Sequence, residues 1–179
     1  MKTNDKRTDQ NQLSKSRINR IREQGYTIQT NAEIIELAFG NRFAYKVCVS
    51  LLIIGVSFAN IPLLSAMMLI AFLGVVLPNH PFDYIYNLTL HKKMNKPALP
   101  PRSRQLKFAC TIATLFIGIT IYSFYSGLDV LGYITGGSLI GVALLVSTID
   151  LCIPSKIYNA LFIRVPEMLT KNKTVRSID

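Results

Sequence analysis

Two long apolar blocks, residues 47–77 and 108–153, carry almost no charge, and the Lys and Arg residues lie outside them. Segregation on this scale marks membrane spans rather than a soluble core. Taken from Phe43 to Leu77, the first block would make a single helix of roughly 50 Å, against a hydrocarbon core of about 30 Å. Asn60-Ile61-Pro62 interrupts it. Proline disfavours helix before it and suits the first turn of a new one. The pattern predicts a hairpin with spans at about 43–60 and 62–77. A proline-rich polar connection, 78–104, leads to a second hairpin with spans at 105–125 and 128–153, turning at Ser126-Gly127.

Short amphipathic pieces flank the spans. Asn31 can cap a helix that has Glu33 in its first turn and Ile34, Leu37 and Ala38 on one face. That piece is expected to lie in the interface before Arg42 and Lys46. A second such piece is expected from Ser155 to Ile163, after Pro154 closes the last span. Residues 1–30 form a polar arm, expected to be largely disordered, and 166–179 a polar tail. The expected architecture is an all-α integral membrane domain over residues 31–165, with four transmembrane helices as two hairpins.

Charge tests this topology. Nine Lys/Arg fall up to Lys46, six in residues 78–107 and five in 154–179, while the turns near Ile61 and Gly127 hold none. With four spans all three basic segments face one side, which by the positive-inside rule is the cytoplasm, termini included. The net charge of +10 therefore points to anionic headgroups rather than nucleic acid, because no aromatic-basic binding module accompanies it. Three cysteines without paired spacing argue against a disulfide framework. The polar first forty residues give no sign of a secretory signal.

The two hairpins share short motifs. Arg42-Phe43-Ala44 opens one and Lys107-Phe108-Ala109 the other, and Ile85-Tyr86-Asn87 and Ile157-Tyr158-Asn159 follow their closing prolines. A parallel tandem repeat, each unit two spans plus an interfacial helix, is the expected origin.

His80-Pro81-Phe82-Asp83 with Tyr86-Asn87, Pro100-Pro101-Arg102, Lys107-Phe108-Ala109-Cys110 and Cys152-Ile153-Pro154-Ser155 together resemble an uncharacterised bacterial membrane family, catalogued as a domain of unknown function. The resemblance covers roughly residues 40–165. It implies a four-span protein of the bacterial inner membrane and carries over no catalytic residue.

Several residues are candidates for chemistry. His80 and Asp83 could pair as acid and base or, with His91, hold a metal, though their spacing is irregular. Asp83 equally suits a helix-capping carboxylate. Cys48, Cys110 and Cys152 fall near the cytoplasmic ends of three helices. There they could form a thiol relay, or serve only as small apolar packing residues. Lys107 and Lys156 are placed to lower the thiol pKa of Cys110 and Cys152. Asp150, inside an apolar run, is expected to pair with Lys107, Lys156 or Arg104. Gly132, Gly136, Gly137 and Gly141 allow close helix packing, within the chain or in a homo-oligomer. Tyr84, Tyr86, Tyr158 and Phe162 suit an interfacial aromatic belt.

Weighed together, these residues favour a non-enzymatic scaffold or accessory subunit without a cofactor. Its cytoplasmic face, with Lys92, Lys93, Lys96, Arg102, Arg104 and Lys107, would dock headgroups or a soluble partner. The competing expectation is a thiol- or metal-dependent redox or sulfur-handling protein using Cys110, Cys152 and His80.

Overall fold

The computed structural model describes residues 15–93 and 96–164, and every regular element among them is helical. Helix α1 covers residues 15–23. Helix α2 (Asn31–Ser57) is followed by α3 (Ile61–Val76), and α4 (Pro81–Ile85) continues through a π turn at Tyr86–Leu90 into His91–Lys93. Helices α5 (Arg104–Tyr125) and α6 (Asp129–Ile149) precede α7 (Ile153–Tyr158), which runs into a second π turn, Asn159–Arg164.

Helices α2, α5 and α6 are each long and apolar enough to cross a membrane. Helix α3, with 16 residues, is about 24 Å long. It meets the same standard only together with Pro81–Lys93, from which it is bent by 80°. In the bundle α3 lies along α5, α5 along α6, and α6 along α2, with a slighter contact between α2 and α3. Leu52, Val56, Leu64, Met67, Ile117, Phe124 and Leu139 fill the middle of this bundle. Outward-facing Leu69, Phe72, Leu115 and Ile134 stay exposed, an apolar surface suited to hydrocarbon.

Helix α2 departs from expectation at its start. It begins at a capping box in which Glu33 N–H donates to Thr30 and Thr30 N–H donates to Glu33, then runs unbroken for 27 residues. No proline stands between Asn31 and Ser57 to separate an interfacial piece from a span, so the two are one helix of about 40 Å. At the far end Ala59 takes a left-handed φ of 45° and Asn60 N–H donates back to Gly55. The α5–α6 turn closes in the same way, with Gly127 at φ 72° and Leu128 N–H donating to Ser123.

The second core lies at the other end, where Ile18, Ile21 and Tyr26 pack with Ile34, Leu37, Tyr86, Leu99 and Leu106. Residues 15–30 are therefore built into the fold, in contrast to the disordered arm expected there. Isoleucines 18 and 21 share one helical face, which buries itself against α2 while Arg17, Arg20 and Arg22 supply polar contacts. Residues 1–14 and 166–179 lie outside the described residues.

The two Ile-Tyr-Asn segments fold alike: proline in the first turn, a short helix, then a π turn. Each asparagine pins a distant segment. Asn87 both donates to Leu99 O and accepts from Leu99 N–H, while Asn159 donates to Glu23 O and accepts from Gln105. The paired tyrosines diverge. Tyr158 packs in tilted contact with Phe108 and Phe162. Tyr86 is fully buried beside Gly40 and so does not belong to an interfacial belt.

Candidate functional site

The N-cap position of α4 falls at His80, ahead of Pro81. The His80 Nδ1 accepts from Phe82 N–H at 3.3 Å, while Asp83 reaches back to accept from His80 N–H at 3.1 Å. Pro81 fits the first turn, where no N–H is required. Asp83 thus caps as its sequence position suggests, in the third helical position of a capping box.

The same carboxylate has a second role. Arg102 donates from Nε to Asp83 Oδ2 at 2.6 Å and from Nη2 to Oδ1 at 3.1 Å, and both side chains are almost wholly buried, at 4% and 3% exposure. Arg102 was expected on the headgroup face. Instead its backbone N–H is held by Pro78 O, its third nitrogen lies 3.5 Å from Cys110 Sγ, and its guanidinium sits over the Tyr45 ring at 5.6 Å. A guanidinium withdrawn from water needs such a set of partners. Burial alone would lower its pKa, but the charge of Asp83, with Tyr45 and Cys110, carries it well above the ordinary value. Burial and then Arg102 press the other way on His80, pulling it from 6.5 to about 3 despite Asp83. His80 is therefore neutral at physiological pH. With Nδ1 accepting, its proton stands on Nε2.

These groups close one end of a cavity of about 440 Å³ inside the bundle. Tyr45, Cys48 and Leu52 of α2, Met67 and Ala71 of α3, and residues of α5 and α6 form its walls, and its surface is almost entirely apolar. Cys48, Cys110 and Cys152 all line it, as do His80 and Arg102. Gly74 lets the cluster close up, since a Cβ there would lie 2.5 Å from His80 Cδ2 and 3.1 Å from Cys110 Sγ.

The thiols converge, but without the lysine activation expected for Cys152. Its thiol is pushed up by burial, against hydrogen bonding with Ser155, whose Oγ donates to Sγ at 3.0 Å. Lys156 turns instead to Glu23 at 3.5 Å. Ser155 is fully buried and does not cap α7, whose N-cap position is Cys152. The three cysteines are free.

His80, Asp83 and His91 do not come together as metal ligands. Among the described residues no group of three or more His, Cys, Asp or Glu side chains is arranged to hold a metal ion. His91 lies in the last turn of the α4 segment with its Nδ1 buried and unpaired.

Asp150 forms a second polar cluster, with partners other than the lysines and arginine expected. It adopts a left-handed φ of 58° just after α6 and is 1% exposed. Arg17 Nε donates to Oδ2 at 2.8 Å, and Arg42 donates from Nε to Oδ1 at 2.7 Å and from Nη2 to Oδ2. Arg42, Arg20 and Gln24 also donate to the carbonyls of Thr148, Ile149 and Asp150, so cations and amides satisfy the open end of α6. The span expected to reach Ile153 therefore ends at Ile149. The signal missed was the arginine-rich 17–22 segment, expected to belong to a largely disordered arm.

The four glycines of α6 divide into two pairs. Gly132 and Gly136 face inward, against Phe124 of α5 and Val56 of α2, whereas a Cβ on Gly137 or Gly141 meets nothing within 4 Å. Lys92, Lys93 and Arg104 are exposed and Lys96 and Lys107 are half-buried, whereas Arg102 is withdrawn into the interior.

The fold and cavity define a helical protein with several helices apolar enough to sit in a membrane. Residues 39–162 match a family described as a domain of unknown function, DUF4395, and the chain belongs to that family. No curated protein and no solved structure matches it.

Proposed function

We propose that this is a four-span protein of the bacterial inner membrane, with both termini cytoplasmic, that acts non-enzymatically as an accessory subunit holding an apolar chain within its bundle. The observation that carries this reading is the cavity of about 440 Å³ with apolar walls from α2, α3, α5 and α6. That volume lies in the range of small-molecule sites. That scale and the apolar walls suit the chain of an amphiphile rather than a polar solute. Its rim includes Phe116, Ser138, Ile153 and Ile157, all exposed, so a chain can enter from the surrounding lipid beside α5 and α6.

Orientation rests on charge. Lys92, Lys93, Lys96, Arg104 and Lys107 cluster at the His80 end, while the turns at Asn60 and Gly127 have no basic residue. This end docks anionic headgroups or a soluble partner. Native mass spectrometry of protein purified in mild detergent tests the reading. A bound lipid-sized mass, retained by the wild type and lost when Ala113→Phe fills the cavity, supports it. A protein that carries no lipid and binds none added back overturns it.

A thiol-handling role is the second reading, favoured by the convergence of Cys48, Cys110 and Cys152 on one cavity. It predicts fast labelling of Cys110 and Cys152 from the cytoplasmic side. Slow labelling with full function in a cysteine-free variant rejects it.

A further inference from the structure

We infer that the His80 end of the cavity receives the neutral, carbonyl-bearing head of a membrane amphiphile, whose chain occupies the apolar remainder. This rests on the lipid-chain reading above and goes further, by naming the chemistry of the head.

Most polar atoms at that end are already taken. Asp83 occupies Nε and Nη2 of Arg102, and Nη1 faces Cys110 Sγ. The ion pair is internally neutral, so it offers no spare positive charge to a carboxylate or phosphate. An anion placed beside it would stand in an apolar cavity without a counter-ion, which is strongly unfavourable.

Two donors remain. His80, 4% exposed, turns Nδ1 back to Phe82 N–H and keeps its proton on Nε2, for which the described residues provide no partner. Tyr45 lines the same cavity, and its hydroxyl is buried without a hydrogen bond. A buried hydroxyl left unpaired is unusual and calls for an acceptor, which the imidazole N–H can share. Contacts tie the two into one locus: Tyr45 lies under the Arg102 guanidinium, Arg102 reaches Cys110, and Cys110 and His80 both flank Gly74.

A head that fits must accept hydrogen bonds, carry no charge and be small enough to leave most of the cavity to a chain. Carbonyl oxygen meets all three conditions. Isoprenoid quinones and neutral glycerides both present that oxygen, so the test separates them.

Full-length protein in mild detergent is stripped of lipid and titrated with decylubiquinone, with monoolein and with oleate, following the melting temperature and the bound mass. At least one neutral amphiphile is expected to bind at least tenfold tighter than oleate, and the tighter of the two identifies the source. Tyr45→Phe removes only an unpaired hydroxyl, and His80→Asn keeps a capping acceptor for Phe82 N–H. Each is expected to weaken the neutral amphiphile about five- to tenfold while leaving oleate unchanged. Oleate binding as tightly as the neutral amphiphiles, or neutral binding unchanged in both variants, overturns the head assignment while the lipid-chain reading stands. Failure of all three probes to bind overturns both.

Discussion

Asp83 and Arg102 are 19 positions apart and meet inside the protein, with Arg102 Nε 2.6 Å from Asp83 Oδ2. One carboxylate thereby caps α4 and neutralises the cation that closes the cavity. Removing one partner of such a pair leaves the other buried and uncompensated, at a cost of about 3–5 kcal/mol. Arg102→Met is expected to destabilise by that amount in detergent unfolding followed by circular dichroism. Asp83→Asn with Arg102→Met is expected to recover about 1–2 kcal/mol of the loss. A cost below about 0.5 kcal/mol for Arg102→Met would return Arg102 to the exposed headgroup face.

Gly74 and Gly137 are both helical glycines and are expected to behave in opposite ways. A methyl on Gly74 meets His80 at 2.5 Å and Cys110 at 3.1 Å, whereas one on Gly137 meets nothing within 4 Å. Gly74→Ala is expected to lose about 1–3 kcal/mol through forced movement of the imidazole. Gly137→Ala is expected to be neutral or to gain up to about 1 kcal/mol from helix propensity. Equal effects would mean that α3 does not approach the His80 cluster this closely.

The apolar helices were legible because charge segregation and Pro62 act locally: the sequence places the ends of α3 and α5 within a residue or two of where they fall. Less local features were not legible. Nothing near Arg102 distinguishes it from Arg104, since its burial depends on Asp83 and Tyr45 arriving from other helices. Arg17 and Arg42 meet Asp150 across 133 and 108 positions, and polar composition alone reads as solvation. Cys110 and Cys152 fall beside helix ends as expected, whereas Cys48 lies inside α2, because that helix already begins at Asn31. That they line one cavity follows from the packing of α2 against α6 and α6 against α5, which periodicity does not encode.

Asp150 predicts how the N-terminal segment is held. Its carboxylate is fully buried, Arg42 is 21% exposed and Arg17 44% exposed, so Arg42 is the stronger anchor. Asp150→Asn keeps a residue tolerant of the left-handed backbone but removes the charge and turns an N–H₂ toward guanidinium. Tryptic cleavage after Arg20 or Arg22 is expected to speed up several-fold in Asp150→Asn, and less in Arg17→Gln. Unchanged cleavage in Asp150→Asn would mean that the hydrophobic contacts of Ile18 and Ile21 alone hold α1 in place.

His80 makes the stability of this end depend on pH in a defined direction. In the folded protein burial and Arg102 depress its pKa to about 3, against 6.5 for the free side chain. Well above pH 6.5 the ring is neutral whether the chain is folded or not, and it contributes no pH dependence. As pH falls, the unfolded chain takes up a proton near 6.5 while the folded chain stays neutral until about 3. Protonation therefore favours unfolding throughout that window, by about 2 kcal/mol at pH 5. The wild type is expected to melt at progressively lower temperature between pH 7 and pH 4. His80→Asn, which keeps the cap and cannot titrate, is expected to lose most of that slope while matching the wild type near pH 7.5. A slope that survives in His80→Asn would assign the dependence to another group and place the imidazole in water.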